Sequence, residues 1–284
     1  MNVREAIDYG KKTIGGEEAI IDSFYLLSFL LDKNFTWLKT WQDHEISDTQ
    51  RLNLETLVDR RKEGEPIAYI IGEKDFWTLT LNSNPSTLIP RPETELLVEK
   101  ALQYLSNKPK AKVLDLGTGT GAIALAIASE RKNDTVIASD YVQDAVQLAK
   151  QNAVKNKIEN VEIIYSDWFS NIDDFDFDLI VSNPPYVEEN DPHLSLGDLR
   201  FEPKSALTSS DNGLADIKVI IDESRRRIIQ GGMLMIEHGF EQGKDIRRMM
   251  NEAGYRSIET LSDLSGLDRI TKGNTTIEST EDVI

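Results

Sequence analysis

Residues 113–126 constrain the fold of this 284-residue chain more than any other stretch. Val113, Leu114 and Leu116 form the short apolar run of a strand covered on both faces, and Ile123 to Ala128 is almost wholly apolar, as in a helix packed on a sheet. Between them lie Gly117, Thr118, Gly119, Thr120 and Gly121. Alternating glycines let the backbone turn sharply and come close to a bound nucleoside, where a Cβ would obstruct it. They also leave the first N–H groups of the helix pointing at the ligand. Strand, glycine turn and helix in this order predict an α/β fold with a nucleoside site at the strand's carboxyl end.

Which nucleoside is left open by these residues alone. Gly117, Gly119 and Ala122 also fit the spacing of dinucleotide enzymes, which keeps a nicotinamide oxidoreductase in view. Asp115 argues the other way. Read as lying at the mouth of the site, its carboxylate would crowd a pyrophosphate but suit a cationic ligand, such as the sulfonium and ammonium of S-adenosylmethionine.

The rest of the chain is long enough for a full α/β core and a small second domain. Val3, Ala6 and Ile7 are spaced for one helix, Glu17 to Leu31 for a longer one, and Ser47 with Gln50 resembles a capping box opening a third that runs to Arg61. These predict a helical bundle over residues 1–65 that grips a partner or covers the site. Residues 65–72 and 74–81 are rich in β-branched and aromatic residues and read as a hairpin linker spanning 66–85. Arg91 lies between Pro90 and Pro92, with an N-cap expected at Thr94. From residue 86 to 273 strands and helices alternate, which calls for a mostly parallel sheet. The polar, acidic tail 274–284 is expected to be disordered.

Asp140 closes the second strand of that region, about twenty positions after the glycines, where a carboxylate accepts the ribose hydroxyls of an adenosine ligand. Asp167 and Trp168 end the third strand, placed to meet an adenine edge and face. The fourth strand runs from Phe177 into Asn183, Pro184, Pro185 and Tyr186. Two prolines fix a rigid turn beside the glycine loop. There Asn183 offers a side-chain carbonyl, Pro184 a backbone carbonyl and Tyr186 a flat face. Such a set suits a planar –NH2 nucleophile, because two acceptors taking its N–H bonds leave the lone pair aimed at a methyl carbon.

Composition narrows the field further. The absence of cysteine excludes disulfides and thiolate chemistry, and the three histidines, His44, His193 and His238, lack a metal-ligand spacing, so no metal is expected. His238 at a strand end reads as structural or crevice-lining. The net charge of −17 would repel a phosphate backbone, and the basic triplets at 60–62 and 225–227 read as solvated helix faces. With no signal peptide and no apolar run of ~20 residues, a cytoplasmic protein is expected.

The glycine stretch and the Asn183 turn together resemble the amino-methyltransferases that use S-adenosylmethionine. More narrowly, Gly64 to Tyr69, Phe76-Trp77, Ile89 to Glu95, Ser166 to Phe169, Asp191 to His193 and Arg200 to Pro203 resemble the release factor glutamine methyltransferases, the PrmC/HemK family. The resemblance covers roughly residues 1–273. It implies a class I, Rossmann-like methyltransferase fold and methylation of the side-chain amide of the glutamine in the Gly-Gly-Gln motif of peptide chain release factors, with S-adenosyl-L-methionine as cofactor. It implies that Gly117, Thr118, Gly119, Thr120, Gly121, Asp140, Trp168 and Asn183 contact the cofactor. Asn183, Pro184 and Tyr186 would act in catalysis, and Pro185, Arg91 and Pro92 would join them around the glutamine. The helical bundle would help bind the factor, with the enzyme acting as a monomer and neither nucleic acid nor membrane as partner. The nearest alternative is an adenine amino-methyltransferase acting on nucleic acid, since the same turn serves that amine. A non-catalytic binding module is disfavoured by the intact Asn183 turn.

Overall fold

The computed structural model describes residues 1–173 and 175–275, which divide by packing into two units. Met1–Glu73 with His193–Phe201 forms one; Lys74–Pro192 with Glu202 onward forms the other.

The first unit holds five helices: α1 (Val3–Ile14), α2 (Ala19–Leu31), α3 (Phe35–Thr40), α4 (Asp48–Lys62) and α5 (Ile67–Ile71). Capping boxes open α1 at Asn2 and Glu5 and α4 at Ser47 and Gln50. Val3, Ala6, Ile7, Leu26, Leu27, Leu38, Leu54 and Val58 pack into its core. Arg61, largely buried, joins Asp22 at 2.7 Å and Asp198 at 2.8 Å, so the 193–201 segment is tied to this unit by a charged anchor. Two expectations fail here. The α3 helix is additional to the three predicted, and residues 67–71 are helical, not a strand. Pro66 at the N-cap and Gly72, in the left-handed conformation at φ +79°, frame that short helix, and its Ala68, Tyr69 and Ile70 are buried.

The second unit begins with a hairpin of β1 (Glu73–Phe76) and β2 (Leu79–Asn82). The hairpin linker expected over 66–85 is shorter, and its Phe76, Leu79 and Leu81 enter the same core as the helices that follow. Those elements are α6 (Glu95–Leu105), β3 (Lys112–Leu116), α7 (Ala122–Glu130), β4 (Thr135–Asp140), α8 (Gln143–Lys155), β5 (Val161–Tyr165) and β6 (Phe177–Ser182). A small parallel pair, β7 (Val187–Glu188) and β8 (Thr208–Ser209), and the one-turn α9 (Ser210–Gly213) lead to α10 (Ala215–Ser224). The unit ends with β9 (Ile228–Glu237), α11 (Gly243–Glu252), β10 (Arg256–Ser262) and β11 (Asp268–Asn274).

Seven strands form one sheet in the order β10-β11-β9-β6-β3-β4-β5. From β9 to β5 the strands are parallel; near one edge β11 alone is reversed, pairing antiparallel with both β9 and β10. The chain moves from β3 outward through β4 to β5, then returns to place β6 on the other side of β3. That reversal makes the carboxyl ends of β3 and β6 the natural ligand crevice. The described part of the expected tail is ordered: Asn274 belongs to β11, and buried Thr275 donates its hydroxyl to the Ile229 carbonyl at 2.6 Å. Residues 276–284 lie outside the described residues. Among the described residues no helix is long and apolar enough to cross a membrane.

Candidate active site

One row of the sheet builds the site. Leu116 pairs with Ser182 on one side and Ser139 on the other, and Ser182 pairs with Ile236. The next residue on each strand therefore emerges at the same level: Gly117 after β3, Asp140 at the end of β4, Asn183 after β6 and Glu237 at the end of β9. The Ser182 hydroxyl locks this row by donating to the Leu116 carbonyl at 2.8 Å.

A cavity of about 320 Å³ opens there. Gly117, Thr118, Gly119, Thr120, Asp140, Asp167, Trp168, Asn183, Pro185 and Arg91 line it. Gly121, Pro184, Tyr186 and Pro92 stand outside that lining. Gly121 lies at the start of α7 at φ +85°, where a Cβ would meet Leu125 Cδ1 at 2.9 Å, so its bareness serves the packing of the loop. Pro184 is buried and Pro92 is exposed in a 3-10 turn over Pro92–Thr94. Tyr186 packs against the apolar layer beneath the sheet's end, its carbonyl accepting from Gln242 Nε2 at 2.9 Å. Burial pushes its hydroxyl pKa up to about 12, so it stays protonated.

Gly117 and Gly119 have positive φ values of +70° and +55°, and a Cβ on Gly117 would stand 3.6 Å from the Trp168 ring. A side chain there would fill the slot between loop and indole. Trp168 itself sits at φ +44°, an uncommon conformation for a bulky residue, and its Nε1 donates to Asp216 Oδ1 at 3.2 Å. Asp140 accepts the Gly119 N–H on Oδ2 and the Val142 N–H on Oδ1, both at 2.9 Å, which shapes the loop. Each oxygen keeps accepting capacity for a further donor. Burial raises its pKa above the usual carboxylate value, while those N–H bonds act to lower it.

Asp115 corrects an expectation. It is fully buried and absent from the cavity lining. Its Oδ2 accepts the Thr118 hydroxyl at 2.6 Å and the Ala124 N–H at 3.2 Å, so it braces the glycine turn from behind. Burial pushes its pKa up to about 7.

Several site residues carry no motif of their own. Buried Glu202 accepts the Ile89 N–H at 3.0 Å and pairs with the Arg91 guanidinium, which fixes the proline-flanked wall. Thr94 does not cap α6 with its side chain; its hydroxyl donates to Glu237 Oε1 at 3.2 Å and accepts from Asn183 Nδ2 at 3.2 Å. The last bond turns the Asn183 amide N–H groups inward and leaves Oδ1 for a ligand. His238 is structural: its ring nitrogens meet the Gly239 carbonyl at 2.9 Å and the Thr271 hydroxyl at 2.8 Å, and it does not line the cavity. Only the pairing of Arg200 to Pro203 with the Ile89 to Glu95 stretch in one resemblance hinted at Glu202; sheet register alone brings Glu237 in.

The chain matches two family models, a PrmC N-terminal domain over residues 5–72 and a methyltransferase small domain over 92–210. It is 49% identical over 266 residues to a release factor glutamine methyltransferase of Aliivibrio fischeri, covering 93% of each chain. It is 47% identical over 252 residues to that of Escherichia coli, covering 89% of this chain and 91% of the relative. Among solved structures, a methyltransferase from Pyrococcus furiosus superposes with TM-score 0.54 at 18% identity, covering 70% of this chain and 90% of that one. A T. thermophilus 16S rRNA methyltransferase, in complex with AdoMet and guanosine, superposes with TM-score 0.53 at 18% identity, covering 72% of this chain and 49% of the other. These two establish the class I methyltransferase fold of the second unit.

Proposed function

The chain belongs to the release factor glutamine methyltransferase family, and from that premise we infer that it methylates the side-chain amide nitrogen of the Gly-Gly-Gln glutamine of peptide chain release factors. The observation that carries the reading is the shared register row that sets Asn183, its Nδ2 held by Thr94 and its Oδ1 without a hydrogen bond among the described residues, beside a glycine-lined cavity.

The cavity residues fit S-adenosyl-L-methionine. Gly117 and Gly119 leave the loop bare opposite Trp168, Asp140 presents a carboxylate for hydroxyl donors, and Thr118 and Thr120 line the turn. When bound there, this cofactor supplies an electrophilic methyl group and leaves as S-adenosyl-L-homocysteine.

The chain's own residues have the harder task, since an amide nitrogen is a weak nucleophile. Asn183 Oδ1 accepts one of its N–H bonds and the carbonyl of Pro184, a buried residue behind the cavity lining, is the acceptor we assign to the other, fixing the lone pair along the transfer line; Pro185 and Arg91 bound the acceptor side. Tyr186 supports the turn and Pro92 the wall behind Arg91, and Gly121 shapes the cofactor loop. As the N–C bond forms, the nitrogen proton becomes acidic and passes to water. Protonated Tyr186 is no base for it. The helical unit is the surface for the body of the release factor. A nucleic-acid acceptor is disfavoured by the charge of −17.

Replacing Asn183 by Ala tests the assignment: turnover falls roughly 10²-fold or more with cofactor binding largely kept. Near-normal turnover would remove Asn183 from the mechanism.

A further inference from the structure

We propose that Glu237 is a positioning residue that decides which end of the Asn183 carboxamide faces the acceptor nitrogen, acting through the Thr94 hydroxyl. The inference rests on the reading of Asn183 as the group that holds the acceptor amide.

Glu237 does not line the cavity. It is 2% exposed, and Thr94 is 4% exposed. The β6–β9 register, Ser182 opposite Ile236, brings it beside Asn183. One hydroxyl bridges them, 3.2 Å from Glu237 Oε1 and 3.2 Å from Asn183 Nδ2, and the Asn183 side chain also interacts with the Glu237 carboxylate directly, in the same sense.

Direction follows from the chemistry of the three groups. A carboxylate only accepts, so it takes the single proton of Thr94. The Thr94 oxygen can then only accept from its other neighbour, and the neighbour able to donate is the amide NH2 of Asn183. Oδ1 is thereby left pointing away, as the acceptor that a glutamine amide needs. A neutral Glu237 breaks this logic: its O–H can donate to Thr94, whose hydroxyl is then free to donate to Asn183 Oδ1. The carboxamide can turn over and present N–H groups, which repel the acceptor's own donors. Two amide orientations of the same shape thus differ in whether the substrate nitrogen is held.

The charges around Glu237 bear on its ionisation. Thr94 and Glu93 approach from the start of α6, Arg269 from β11, and Asn183 and Tyr186 from the turn after β6. Burial, the largest influence, pushes the carboxyl up to about 7; Thr94, Arg269 and Asn183 act to lower it and Glu93 to raise it. Its Oε2 accepts no hydrogen bond among the described residues, so Thr94 and Asn183 on the other side are what direct the carboxylate.

The test compares Glu237→Gln, which keeps shape but adds a donor, with the wild-type chain, in backgrounds with and without Asn183→Ala. Expected is a loss of tenfold or more in kcat, with the KM for a release factor and the Kd for S-adenosyl-L-methionine within about threefold. In the Asn183→Ala background the same change costs less than twofold, because the relay has nothing left to orient. Thr94→Val, which removes the middle hydroxyl, serves if Glu237→Gln fails to fold. A direct readout needs no acceptor: the Asn183 side-chain amide signal in ¹⁵N NMR, identified by its loss in Asn183→Ala, shifts with a midpoint near pH 7 and stops shifting in Glu237→Gln. An unchanged kcat, an equal loss in both backgrounds, or a wild-type amide signal that ignores pH overturns the proposal. If the wild-type chain methylates no release factor, the substrate reading falls, and the NMR titration still decides the relay.

Discussion

The backbone N–H of Ile89 donates to the Glu202 carboxylate at 3.0 Å across 113 positions of the chain. The same carboxylate pairs with Arg91, so two remote segments become one wall of the cavity. Replacing Glu202 by Ala leaves a buried N–H and a half-buried guanidinium without their acceptor. It should cost about 2–4 kcal/mol of unfolding free energy, read by urea denaturation, and lower turnover as Arg91 loses its place. A variant as stable and active as the wild type would show that the wall is held by other means.

Asp140 is expected to govern cofactor affinity more than turnover. Asp140→Ala removes the acceptor that shapes Gly119 and Val142 as well as the partner for ribose hydroxyls. The Kd for S-adenosyl-L-methionine by calorimetry should rise about tenfold or more, equivalent to roughly 1.4 kcal/mol. An unchanged Kd would exclude Asp140 from the cofactor site.

Asp115 gives a pH-dependent prediction. Its folded pKa of about 7 lies above the ordinary 3.8, so between these values the folded chain holds more protons than the unfolded one. The stability it contributes is therefore present at low pH and lost as pH rises towards and past 7. Asp115→Asn keeps an acceptor for Thr118 and Ala124 without a charge to bury. Relative to the wild type, its Tm should gain most above pH 7, gain less at pH 5, and match only below the ordinary 3.8. A difference that does not vary with pH would contradict the burial of an ionisable carboxyl there.

How far the sequence led can be followed residue by residue. Gly117 to Gly121, Asp140 and Asn183 could be read because each closes a strand, and strand ends of a parallel sheet converge on one crevice. Residues 67–71 misled because Ile67, Tyr69, Ile70 and Ile71 favour strands in isolation, while Pro66 and Gly72 and the burial of Tyr69 decide for a helix. The distance of Asp115 to the glycines suggests the mouth of the site, but the side chain turns inward to hold Thr118. Glu237 and Asp216 carry no local pattern, and the Arg200 to Pro203 stretch marks Glu202 only through the family resemblance, without a role. Their roles come from register and from contacts across 48 to 143 positions of chain.

The most direct test of the central claim is a transfer assay with methyl-labelled S-adenosyl-L-methionine. It offers side by side a purified release factor, its variant with Ala for Gln in the Gly-Gly-Gln motif, and double-stranded DNA. Label on the unaltered factor alone is the predicted result. Label on DNA, or on both proteins equally, would contradict the glutamine as acceptor.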